Sequence, residues 1–106
     1  MNNIDFDIAN EIQEALKNSK PVVALESTLI SHGFPYPKNL EVAKASIEAV
    51  RLSGSVPATI AIINGKIKMG LNEKDMDILA KSENVEKVSQ HNLAISLKNK
   101  SHAATT

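Results

Sequence analysis

Two charged residues stand where this sequence could carry chemistry. Glu26 directly follows four apolar residues, Val22-Val23-Ala24-Leu25. An unbroken, β-branched run of that length predicts a strand buried on both faces, as in a parallel sheet. Glu26 then stands at the C-terminal end of a core strand, where the ligand crevice of an open α/β sheet lies. A carboxyl group there loses part of its hydration, which makes it a better proton donor near neutral pH. A carboxylate at a strand end also serves to cap a turn, and spacing alone does not separate the two readings. Lys87 lies between Val85 and Val88. A lysine in such a strand either guards a sheet edge or binds an anion, and the pattern favours the edge.

The segment from Thr28 to Pro37 is dense in Pro, Gly and His, the composition of a loop that lines a site. His32 can titrate or bind there, or simply make a backbone hydrogen bond in a turn, which is the commoner use. Phe34 and Tyr36 can stack on a planar base or seal the edge of the core. Thr105 and Thr106 can meet a phosphate, or form a frayed tail. Glycine-rich phosphate loops, His pairs at metal spacing and a G-x-S-x-G elbow are all missing from the sequence.

The elements that must position these residues follow from changes in apolar period. Ile8, Ile12, Ala15 and Leu16 predict a helix with Asp7 as N-cap, stopped by Lys17 to Pro21. Prolines and a glycine exclude a regular helix between Leu29 and Pro37. Leu40, Ala43, Ile47 and Val50 predict a helix from Asn39 to about Leu52, closed by Ser53-Gly54. Ala58 to Ile63 reads as a strand. Asn64-Gly65 then joins it to the alternating Lys66-Ile67-Lys68-Met69 as a hairpin. Asn72 caps a helix with Glu73 and Asp75 in its first turn and Met76, Leu79 and Ala80 on its buried side. Val85 to Ser89 reads as a third core strand and Asn92 to about Leu97 as a further helix. The order helix–strand–helix–hairpin–helix–strand–helix is an α/β pattern.

Composition narrows the function classes. The 106 residues hold 12 Lys+Arg and 12 Asp+Glu, for a formal net charge of zero. A whole-domain electrostatic grip on nucleic acid or on an anionic membrane is not expected. With no cysteine, disulfides, Cys-ligated metals and thiolate nucleophiles are excluded. Aromatic residues are only 3%, so the core must come from Ile, Leu, Val and Ala. No apolar run is long enough to suggest a membrane span, and the first residues do not read as a secretory signal. A cytoplasmic location is the expectation.

Longer blocks carry a resemblance. Val23 to Thr28 (VALEST), Ser31 to Pro37 (SHGFPYP) and Asn39 to Glu41 (NLE) come first. Val56 to Leu71 (VPATIAIINGKIKMGL), Lys87 to Ser89 (KVS) and Ala104 to Thr106 (ATT) follow in order. Together they resemble the pseudouridine-5′-phosphate glycosidase family, also called indigoidine synthase A-like. The resemblance implies an α/β/α layered sheet, of which residues 1–106 would be the N-terminal third. It implies a manganese-dependent homotrimer that reversibly cleaves the C–C glycosidic bond of pseudouridine 5′-phosphate to uracil and ribose 5-phosphate. The family's acid/base glutamate falls on Glu26 and its substrate-contacting lysine on Lys87. Its Schiff-base lysine and metal-binding aspartate fall outside these residues, so no metal ligand is assigned here. The sequence departs from the family pattern at Gln90-His91-Asn92, usually basic, and at His102-Ala103, usually Asn-Gly. Ala103 thus adds a Cβ where backbone is expected to approach a ligand.

Three expectations follow. The first is part of a glycosidase, inactive alone. The second is a non-catalytic module that binds a phosphorylated sugar or nucleoside, or docks onto a full-length paralogue. The third is the product of a split or decayed gene.

Overall fold

The computed structural model describes residues 6–105. Along the chain run β1 (Phe6–Ile8), α1 (Asn10–Lys17), β2 (Val22–Leu25), α2 (Thr28–His32), α3 (Lys38–Leu52) and β3 (Val56–Ile63). They are followed by β4 (Lys66–Met69), α4 (Glu73–Lys81), β5 (Glu86–Val88), α5 (Leu93–Lys98) and β6 (Ala103–Thr105).

β3 is the trunk of the sheet. Its eight residues are buried almost throughout, as an interior strand with both faces covered requires. It serves its neighbours in two halves. Val56–Thr59 pair in parallel with Val22–Leu25 of β2. Ile60–Ile63 pair antiparallel with β4, and Ala61 and Ile62 also pair antiparallel with Ala104 and Ala103 of β6. β1 adds to β4 and β5 to β6, both in parallel, giving the order β1-β4-β3-β6-β5 with β2 also on β3.

Alternation along β3 divides the core. Ala61 and Ile63 face Ile30, Ala43, Met76 and Leu79 of α2, α3 and α4. Ile62 faces the other way, with Ile67, Val88 and Ala103, and is covered by Leu93 and Leu97 of α5. Helices therefore lie on both faces of a mixed sheet, as the element order implies. Both clusters are free of aromatic residues.

Local signals account for the joints. Asn64 and Gly65 take φ of 51° and 76°, the left-handed pair that a two-residue hairpin needs. A Cβ on Gly65 would also come within 2.8 Å of Lys100 Cα. Asn72 and Asp75 form a reciprocal capping box: Asp75 N–H donates to Asn72 Oδ1 and Asn72 N–H to Asp75 Oδ2. Asp75 is 5% exposed and is paired with Lys68 Nζ at 3.0 Å.

Several expectations are corrected. Asp7 is not a helix cap. It lies in β1, because Phe6–Ile8 satisfy the free edge of β4, and α1 starts after Ala9 without a side-chain cap. The segment between Leu29 and Pro37 is not free of helix: Thr28–His32 form one turn before Gly33 and the prolines stop it. β2 is not buried on both faces: Val23 stays 38% exposed and Ala24 is exposed too, and among the described residues β2 pairs with β3 alone. Phe34 and Tyr36 do not seal the core, being 43% and 48% exposed. Thr105 is no frayed tail but part of β6, whereas Thr106 lies outside the described residues.

Asn39 holds three helices together. Its side chain is buried, and Nδ2 donates to Ile30 O at 2.8 Å and to Ala80 O at 2.9 Å. Both carbonyls belong to last turns, which lack intrahelical donors. Asn39→Ala is expected to lower the unfolding free energy by about 1–3 kcal/mol, read as a lower urea midpoint at unchanged m-value. On the other side of the sheet, exposed Glu86 accepts from Ser96 Oγ at 2.6 Å and Ser101 Oγ at 3.0 Å. These hydroxyls, Ser96 first, hold its carboxyl below the usual carboxylate range. A depressed folded value stabilises the fold above the unfolded value, and that contribution is lost as pH falls through the folded one. The Tm gap between wild type and Glu86→Gln should thus be present at neutral pH and close below about pH 4.3.

Candidate active site

β2 runs parallel to β3 and β6 runs against it, so their C-terminal ends meet head to head. Leu25 pairs with Thr59 and Ala104 with Ala61, and the two strand ends converge beside Ile60. Ser27 joins them. Its N–H donates to Thr105 O at 3.0 Å. Its hydroxyl donates to Ile60 O at 2.6 Å and accepts from Thr105 N–H at 2.8 Å. Thr105 Oγ1 donates to the same Ile60 carbonyl at 2.7 Å. Ser27 is completely buried, so each of these polar atoms needs its partner.

The two candidate residues flank this knot. Glu26 immediately precedes Ser27. Val88 pairs with Thr105, and Lys87 immediately precedes Val88. Both candidates therefore stand near C-terminal strand ends that converge on one point, as a ligand crevice requires. Lys87 pairs with Ala104 and so shares the sheet face of α2 and α3, onto which Ala104 packs. The turn after Lys87 is fixed by Asn92, whose Nδ2 donates to Lys87 O at 3.1 Å and whose Oδ1 accepts from Ser89 N–H at 2.9 Å.

Burial departs from expectation. Glu26 is exposed rather than partly desolvated; among the described residues β2 pairs with β3 and with no strand on its outer side. It borders a small apolar cavity of about 90 Å³, walled by Leu25, Leu29, Ile30 and Ala43. Lys87 is exposed on β5, which is an edge strand of the described sheet. A larger groove of about 540 Å³ runs between α1, α3 and the β4–α4 turn, bordered by the Glu11–Arg51 ion pair at 2.6 Å, and neither candidate lines it.

The other residues singled out in the sequence are not gathered here. His32 is exposed at the end of α2, and Tyr36 lies under Lys81 Nζ, 5.4 Å from the ring centre. The Cβ of Ala103 faces no crevice; it is fully buried with Ile62, Ile67 and Val88. Two hydroxyls that spacing did not single out, Thr28 Oγ1 and Ser31 Oγ, are buried on α2 without a hydrogen-bond partner. Ser27 and Asn92 were also missed as positioning residues; a serine two residues past the end of an apolar strand was the available signal.

Among the described residues, no group of three or more His, Asp or Glu could hold a metal ion. The residues present do not fit a manganese site, and no chemical step is assigned to a metal here. No helix among them is long and apolar enough to cross a membrane.

Comparison with known proteins decides the family. The family model described as "Indigoidine synthase A like protein" matches residues 11–106. The chain belongs to this family. As an indigoidine synthase A-like chain it is 52% identical over 101 residues to the pseudouridine-5′-phosphate glycosidase of Caldanaerobacter subterraneus subsp. tengcongensis, covering 95% of this chain and 33% of the relative. The Staphylococcus aureus protein of the same name gives the same identity and coverage. Brachyspira hyodysenteriae has a relative of that name 48% identical over 108 residues, covering 35% of it. Among solved structures, the prealnumycin C-glycosynthase AlnA in complex with ribulose 5-phosphate superposes with a TM-score of 0.85 at 34% identity, over 99% of this chain and 33% of that one. An indigoidine synthase A-like protein from Thermotoga maritima gives 0.82 at 28% identity, over 34% of its length. The chain thus spans about a third of the length of the relatives it matches.

Ser27→Ala would strip the half-buried Thr105 N–H of its acceptor. The expected cost is about 1–3 kcal/mol, and native-state hydrogen exchange should show the Thr105 amide opening more readily than in wild type.

Proposed function

We propose that this chain supplies the Glu26 and Lys87 portion of a pseudouridine-5′-phosphate glycosidase site. The observation that carries the reading is the convergence of β2, β5 and β6 on the Ser27–Thr105 knot, with Glu26 and Lys87 on either side of it. The ribulose 5-phosphate bound by the C-glycosynthase relative supports a sugar phosphate as ligand class.

The chemistry assigns the two residues different tasks. Cleavage breaks the bond between the sugar carbon and the uracil carbon, with net addition of water. A carbon leaving group has no oxygen to protonate, so a proton must be delivered to carbon. Glu26 is the acid for that transfer and, in reverse, the base. Lys87 anchors the anionic substrate by its charge. The lysine that captures the opened sugar as an imine belongs to the family pattern outside these residues. The cytoplasmic homotrimer and its manganese-binding aspartate belong to the same reading.

The test adds, in trans, the segment of the Staphylococcus aureus relative that this chain does not match, and measures uracil release from pseudouridine 5′-phosphate. The 106-residue chain alone should release none, and the mixture should release it. Glu26→Ala should lower the rate of the mixture by at least a hundredfold, and Lys87→Ala should act mainly on KM. Full activity with Glu26→Ala would overturn the assignment. Binding of ribose 5-phosphate by the chain, without release by the mixture, would point instead to a non-catalytic sugar-phosphate module.

A further inference from the structure

Among the described residues, three strands leave an edge of the sheet open: β1, β5 and β2. Two of them carry charge, as Phe6-Asp7-Ile8 and Glu86-Lys87-Val88. Charged, very short edges are how natural sheets deter further pairing. β2 is different. Val-Val-Ala-Leu has neither charge nor proline, yet Val23 is 38% exposed and Ala24 is also exposed. It has the composition of an interior strand in the position of an edge.

The open side can be read residue by residue. Val56 N–H donates to Pro21 O at 2.9 Å, and Ser27 N–H donates to Thr105 O at 3.0 Å. Odd-numbered residues of this stretch therefore aim their backbone groups at β3 and β6. By the two-residue alternation of a strand, Val22 and Ala24 aim theirs outward. This chain covers only 33% of the Staphylococcus aureus protein, so most of that relative's length has no counterpart among these residues.

We propose that the open edge of β2 is a docking surface for a strand from the part of the family fold that these residues do not contain. β2 then becomes an interior strand of the completed sheet. The proposal rests on family membership and is independent of any catalytic role for Glu26 or Lys87. A second copy of this chain is the poorer occupant. It offers one more four-residue edge, whereas the exposed side chains of Val23 and Ala24 also need cover across their faces.

The probe is again the unmatched segment of the Staphylococcus aureus relative, added to the 106-residue chain and followed by hydrogen exchange. The amides of Val22 and Ala24 should exchange freely in the chain alone and slow at least tenfold in the mixture. The Val56 amide, already bonded, should change little. Ala24→Pro removes an N–H that the β2–β3 ladder does not use, a placement that edge strands tolerate. It should keep the circular dichroism and Tm of the chain while weakening capture of the segment at least tenfold. If Ala24→Pro unfolds the chain, exchange in the unaltered chain decides alone. The proposal is overturned if the segment fails to bind, or binds while Val22 and Ala24 exchange as before. Protection of those amides in the chain alone, through a concentration-dependent dimer, overturns it too. Uracil release is read separately. Protection without release keeps the docking surface and removes the catalytic roles. Release with both amides unprotected does the reverse.

Discussion

The hydroxyl of Ser27 makes the two halves of the sheet compatible. β3 is paired in parallel along its first half and antiparallel along its second. Two strands that run into each other beside one trunk leave backbone groups stranded at the collision. Ser27 and Thr105 resolve it with short side chains: the Ile60 carbonyl receives both hydroxyls, and the Thr105 amide finds the Ser27 oxygen. In a site without water, a buried donor lacking its acceptor carries its whole desolvation cost. A hydroxyl on one carbon meets this need; a longer side chain would push the strand ends apart. The start of α2, the placement of Glu26 and the alignment of β5 on β6 all depend on this junction.

The packing is complete around that junction and incomplete beyond β2. Ala61, Ile62 and Leu79 are wholly buried, and both core clusters are closed by helices. Along Val23 to Tyr36 the balance reverses: Val23, Leu29, Phe34 and Tyr36 are all large apolar residues on the surface. The two buried hydroxyls without partners, on Thr28 and Ser31, fall in the same stretch. Exposed apolar edges invite unwanted pairing. A sequence tuned to stand alone would place charge there, as this one does on β1 and β5. The stretch is instead composed for an interior, consistent with a chain that spans a third of its relatives.

The legible parts of the fold were those specified by local chemistry. Asn64-Gly65 announced its hairpin because few other pairs accept two left-handed residues. Asn72 announced its helix because its side chain bonds within one turn. The apolar stripe of α3 spans four turns, long enough for its period to show. β1 and β6 were missed because each has three residues and exists only through its partners, β4 for β1 and β3 and β5 for β6. Asp7 was misread for the same reason: it resembles a cap locally, but the edge of β4 was available to it.

The candidate site shows the same division more sharply. Its positions were legible, since an apolar run that ends in a carboxylate marks a strand end wherever it occurs. Its environment was not. Hydration of a side chain is set by whatever packs beside it, and among the described residues β2 has no strand on its outer side. A carboxyl from which water is excluded holds its proton closer to neutral pH and so still has one to donate there, whereas Glu26 is exposed to water. The cover that would complete the β2 edge is the same cover that would dry the carboxyl beside it. Under the proposed function, assembly of the sheet and assembly of the chemistry would then be one event. On β5 the charge of Lys87 deters stray pairing, and under the proposed function the same charge would anchor the anionic substrate.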